Sequence, residues 1–95
     1  MYQIIMLTDL TPSEKANSAC RRVLFHLDMV RSYLRVEKFN LARIALRDAR
    51  RSLRHVSLEQ VTDVSALRGT LAMSKMGRRI DIEEADALSG VYDEI

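Results

Sequence analysis

The sequence predicts an all-α fold, a compact bundle of three to four helices. Apolar residues recur at steps of three and four over long stretches, and helix-start signals stand in front of them. Three Gly and one Pro in 95 residues leave too little turn chemistry for a many-stranded sandwich or barrel. A chain of this length is expected to form one domain over 1–95, with residues 1–10 as an apolar N-terminal arm. Hydrophobic residues at 47% and charged residues at 29% place it with globular rather than disordered chains.

The first helix is predicted over 12–36. Thr11-Pro12-Ser13-Glu14 supplies a capping hydroxyl, a Pro at the first helical position and a Glu two residues after it. Behind it Ala16, Cys20, Val23, Leu27, Val30 and Leu34 form a heptad-like seam, read as a core or dimer contact. Leu24, Phe25 and Met29 widen the stripe, which suggests more than one neighbour and a homodimer built partly by this helix.

Glu37-Lys38-Phe39-Asn40 reads as the first turn, with Asn40 as the cap of a second helix over 41–56. There Leu41, Ala42, Ala45, Leu46, Ala49, Leu53 and Val56 share one side. A short connection between two amphipathic helices implies an antiparallel hairpin. Phe39 and Ala42 sit in places that suggest a tetratricopeptide unit, but no second copy recurs at a period of about 34 residues, so the stretch reads as a generic hairpin.

A third helix is expected over 58–76, opened by Ser57 or alternatively by Thr62 or Asp63, with Val64, Leu67 and Leu71 toward the core. Gly69 inside it is unfavourable for a helix and marks a close helix approach; Gly77 suits the position just past its end. A last helix over 82–94, started by Asp81, would place Ile82, Ala85, Leu88, Tyr92 and Ile95 on its apolar face.

The net charge of +2 conceals an asymmetry. Residues 1–14 carry −2, residues 15–79 carry +10 with all fifteen basic side chains, and residues 80–95 carry −6. A basic body with an acidic end is neutralised in cis, or meets partners of opposite charge. The sharpest feature is an arginine stripe on the second helix, formed by Arg43, Arg47, Arg50, Arg51 and Arg54. At about 100° per residue these cluster on one face, expected opposite Leu46, Ala49, Leu53 and Val56. Such a face grips carboxylates or phosphates, or is simply a solvated face with Glu37 and Asp48 as counterions. Aromatics at 5% are too few for a platform on which single-stranded bases stack.

The acidic surface Asp81, Glu83, Glu84 and Asp86 is the second feature, expected in the first turns of the last helix where the helix dipole favours negative charge. Its spacing does not match a calcium loop, and no metal is expected. Catalytic residues are not expected either. His26 and His55 do not stand in zinc spacing with Cys20, and the sequence holds no Gly-rich phosphate loop or nucleophile elbow. Cys20 reads as a small buried hydrophobe, and a lone cysteine forms no internal disulfide, which points to a reducing compartment.

The N-terminal apolar run lacks a basic n-region, so no signal peptide and a cytoplasmic location are expected. These features predict a small non-enzymatic regulator without a cofactor. It would act stoichiometrically on a larger protein as adaptor, chaperone or inhibitor. The alternative is a nucleic-acid-binding regulator using the arginine face.

Overall fold

A computed structural model describes residues 10–93, with side chains to residue 90. The expected arm over 1–10 lies outside the described residues but for Leu10, and so do the side chains of Tyr92 and Ile95. Among the described residues the structure is all-α, with four α-helices and one short 3-10 turn.

Helix α1 spans Pro12–Arg35. The Thr11 hydroxyl accepts from the Glu14 amide at 3.1 Å, and Pro12 takes the first helical position, where its missing N–H costs nothing. Its far end closes in a Schellman turn. The Glu37 amide donates to the Leu34 carbonyl at 3.2 Å and the Lys38 amide to the Tyr33 carbonyl at 3.0 Å, with Glu37 left-handed at φ 57°. That motif reverses the chain within Val36, Glu37 and Lys38. Helix α2 therefore begins earlier than expected, at Phe39–Ser52, with Lys38 as its cap; Asn40 already lies inside it.

The α1 seam of Ala16, Cys20, Val23, Leu27, Val30 and Leu34 is buried, none of the six more than 6% exposed. Across from it α2 presents Ala42, Ala45, Leu46 and Ala49. Three alanines on one face let the two helix backbones approach closely. This seam faces the chain's own helices, so a dimer built on it, as the sequence suggested, would have to open the core. Of the residues that widen the stripe, Met29 packs on the core while Phe25 stands 64% exposed.

The chain beyond α2 departs most from expectation. Helix α2 stops at Ser52 rather than at 56, and His55 turns the chain at φ 66°. The single helix expected over 58–76 is instead a 3-10 turn at Leu58–Gln60 and a short helix α3 at Val64–Leu71. Asp63 caps α3 by accepting from the Ala66 amide at 3.2 Å. Asn17 of α1 holds this entry in place. Its amide nitrogen donates to Thr62 Oγ1 at 2.8 Å, and its oxygen accepts the Thr62 and Asp63 amides at 2.9 and 3.1 Å.

Helix α3 buries Ala66 and Thr70, not Val64 and Leu71, which are largely exposed. Small residues decide this: Gly69 lies so close to α1 that an added Cβ would clash with Leu24 Cδ2. The Thr70 hydroxyl donates back to the Ala66 carbonyl at 3.1 Å, a bond that bends helices, and the helix breaks at Ala72.

Helix α4 then runs from Met73 to Asp93. Gly77 and Asp81 lie within it, so neither ends nor starts a helix, and the last helix begins nine residues before the expected position 82. The flanking Lys75, Met76, Arg78 and Arg79 are good helix formers and carry it through the glycine. Met76 and Ile80 insert into the core beside the α1–α2 hairpin. The face expected to be buried, Ile82, Ala85 and Leu88, points to solvent. Glu83, Asp86 and Ala87 flank the hairpin turn, and a Cβ at Gly90 would meet nothing within 4 Å, so α4 projects past the hairpin.

Candidate functional site: an arginine-lined groove between α2 and α4

Helices α2 and α4 run antiparallel, and the arginine stripe lies along the line where they meet. With Ala42, Ala45, Leu46 and Ala49 facing α1, a step of about 100° per residue puts Arg43, Arg47 and Arg50 on the flank next to α4 rather than opposite the core. Arg51 and Arg54 are exposed, and Arg54 follows the end of α2.

Arg43 is held. Its Nη1 donates to Glu84 Oε2 at 2.9 Å, and its Nη2 donates to Glu84 Oε1 at 2.9 Å and to Asp81 Oδ1 at 3.1 Å. The planar guanidinium fork matches the carboxylate at both oxygens. The bonded Arg43 holds the Glu84 carboxyl below the usual carboxylate range; partial desolvation opposes this and does not overcome it. Hydrogen bonds to Glu84, then to Asp81, raise Arg43 further in turn.

One turn further along α2 the carboxylates run out. Opposite Arg47 and Arg50, α4 presents Ser74, Gly77 and Arg78, and the two helices enclose an open groove of about 540 Å³. Leu46, Ile80 and Ile44 give it apolar walls, and Asp81 closes the end nearest Arg43. Gly77 lies against the Arg50 guanidinium: a Cβ there would stand at ordinary contact distance, 3.5 Å from its Nη2. Among the described residues Arg47, Arg50 and Arg78 take part in no ion pair. The groove thus concentrates three uncompensated cations beside an apolar floor.

The acidic surface is not a helix-start cluster, because α4 has already run two turns when it reaches Asp81. It acts side chain by side chain: Asp81 and Glu84 reach Arg43, and Glu83 accepts from Arg79 Nε at 3.0 Å within α4. Among the described residues no three His, Cys, Asp or Glu side chains come together as a ligand set. Cys20 is buried in the core, and neither it nor His26 or His55 lines the groove.

Sequence reasoning found the α2 half of this groove and missed Arg78, Gly77 and Ser74. The signal was present: counting back from Asp81 in steps of three and four reaches Arg78, Gly77 and Ser74 on the same side of one helix. The expectation of a helix end at Gly77 hid it.

No helix of the described residues is long and apolar enough to cross a membrane. No family model, curated protein or solved structure matches the chain.

Proposed function

We propose that this protein is a non-enzymatic regulator that binds an acidic segment of a larger protein in the α2–α4 groove. One observation carries the reading: Arg47, Arg50 and Arg78 line one open groove and, among the described residues, take part in no ion pair. All three arginines are exposed, so an incoming carboxylate can meet each of them with charge-assisted hydrogen bonds. The apolar walls add burial that a purely ionic contact lacks. The few aromatics favour a protein segment over a single-stranded nucleic acid, whose bases need aromatic side chains to stack on.

The test is affinity capture from native lysate with wild-type protein and with the Arg47→Glu, Arg50→Glu, Arg78→Glu variant, each with and without nuclease. The reading expects protein partners that survive nuclease and are lost with charge reversal. Capture that vanishes with nuclease supports the nucleic-acid alternative, and equal capture by the variant removes the groove from the function.

A further inference from the structure

The chain contains its own example of what the arginine stripe accepts. Asp81 and Glu84 stand three residues apart on one side of a helix that runs antiparallel to α2, and both reach the same arginine of α2. Side chains three or four apart on a helix lie about 5–6 Å apart. Arg43, Arg47 and Arg50 follow one another on α2 at that same spacing. If α4 continued its acidic pattern toward its own N-terminus, it would satisfy Arg47 and Arg50 as it satisfies Arg43. Instead it presents a glycine, a serine and a further arginine at that point, and the groove opens.

We propose that the groove receives an acidic amphipathic helix from the partner protein, lying along α2 with carboxylates at i and i+3 or i+4 toward Arg47, Arg50 and Arg78. Its apolar side rests on Ile44, which is 44% exposed at the mouth of the groove. The inference rests on the reading of the groove as a protein-docking site and adds the conformation and periodicity of what docks. Charge complementarity selects the occupant: the internal pair neutralises Arg43 alone and leaves three cations beside an apolar surface. A helix supplies both chemistries from adjacent stripes, as helix-in-groove partners do.

The experiment uses the full chain and labelled peptides of about 18 residues, followed by fluorescence anisotropy near physiological salt. One peptide carries Glu at helical i, i+3 and i+4 spacing beside a Leu stripe. A second has the same composition with the period scrambled, and a DNA duplex of similar charge serves as competitor. The periodic peptide is expected to bind at least tenfold tighter than the scrambled one. The Gly77→Asp variant tests the site from inside. A Cβ at position 77 stands at ordinary contact distance, so the substitution fits, and its carboxylate comes within reach of Arg50. It is expected to weaken peptide binding at least tenfold with an unchanged circular dichroism spectrum, while Gly77→Ala weakens it less than threefold.

Equal binding of periodic and scrambled peptides overturns the helical occupant. So does a Gly77→Asp variant, folded by circular dichroism, that binds like wild type, or a duplex that displaces the peptide at lower concentration than unlabelled peptide does. Should Gly77→Asp fail to fold, Arg47→Gln with Arg50→Gln takes its place, with the same tenfold loss expected and binding as in wild type overturning the proposal. These outcomes are separable from failure of the docking reading itself, which is decided by whether the charge-reversed protein still captures its nuclease-resistant partners.

Discussion

Arg43 grips Glu84 with both arms of its guanidinium, each hydrogen bond 2.9 Å long, and this pair joins α2 to α4 through residues 41 positions apart in sequence. It is the one place where the basic body and the acidic end of the chain meet through a two-pronged contact among the described residues. Helix α4 has few other anchors: beyond the buried Met76 and Ile80, its remaining described side chains are half-buried or exposed. Docking of α4 therefore rests on Met73, Met76 and Ile80 against the core and on an ion pair that acid can remove.

The first prediction follows from the direction of the Glu84 shift. Its carboxyl is held below its ordinary value of 4.5 by the hydrogen bonds from Arg43. The folded chain keeps that proton off more strongly than the unfolded chain does. The stabilisation is present in full above pH 4.5 and is lost as the pH falls through the lower folded value. Thermal melts by circular dichroism between pH 7 and pH 2.5 should show Tm falling over that window in wild type. In Glu84→Gln the starting Tm should be lower and the acid-induced fall smaller. An identical pH profile for the two would show that the pair does not anchor α4.

The second prediction concerns the core. Leu27 is fully buried between the α1 seam and α2. Leu27→Ala should cost about 2–5 kcal/mol, measured by urea unfolding, because the lost methyl groups leave a cavity. Leu27→Asp should prevent folding, since an unpaired buried carboxylate has no partner there. Sedimentation of the aspartate variant as a folded monomer would instead restore the seam as a dimer contact.

The third prediction is a coupling between Gly69 and Leu24. Gly69→Ala gains up to about 1 kcal/mol of helix propensity but drives a Cβ into Leu24 Cδ2. In the wild-type background the two effects should leave the variant neutral or destabilised by about 1 kcal/mol. With Leu24→Ala in place the obstacle is gone, and Gly69→Ala should stabilise. A double-mutant cycle should return an interaction of about 1 kcal/mol or more, and additive effects would count against the close approach.

These three sites show what was legible in the sequence. The α1–α2 hairpin could be read because its signals are local: a capping box at Thr11, a seam at steps of three and four, and a facing stripe. Gly69 could be read because a glycine inside a helix invites the question of what lies against it. The α3–α4 boundary could not. The break at Ala72 follows a local bond from Thr70 back to Ala66 and the close approach of α3 to α1 at Gly69, and the second is a tertiary fact. Propensity favoured ending at Gly77, yet the packing of Met76 and Ile80 on the hairpin holds that segment helical. The error moved the acidic residues to a helix start and concealed the fact that Asp81 and Glu84 are the counterions of Arg43. Periodicity located the stripe on α2, but which arginines were already paired was decided by a helix nearly forty residues downstream.

The last prediction separates the arginines that hold the fold from those free to bind. Arg47 and Arg50 are exposed and form no ion pair among the described residues, so Arg47→Glu with Arg50→Glu should change unfolding free energy by no more than about 0.5–1 kcal/mol. Arg43→Glu is different, because it sets a third carboxylate against Asp81 and Glu84 and should lower Tm and raise amide exchange across α4. Binding should sort in the other direction. Reversal at positions 47 and 50 replaces two of the three free cations with carboxylates and should abolish capture of an acidic partner, whereas Arg43→Met should reduce it only as far as α4 loosens. Salt then distinguishes the ligand. A protein segment seated on Ile44 should lose mainly association rate as salt rises and keep much of its affinity. A nucleic acid should lose affinity linearly in logarithmic coordinates, with a slope of about −0.9 per phosphate neutralised on a duplex. A slope of about −3, one unit for each of Arg47, Arg50 and Arg78, would reassign the groove to phosphate. A shallow slope, combined with complete loss on charge reversal, is the outcome expected for a carboxylate-bearing protein helix.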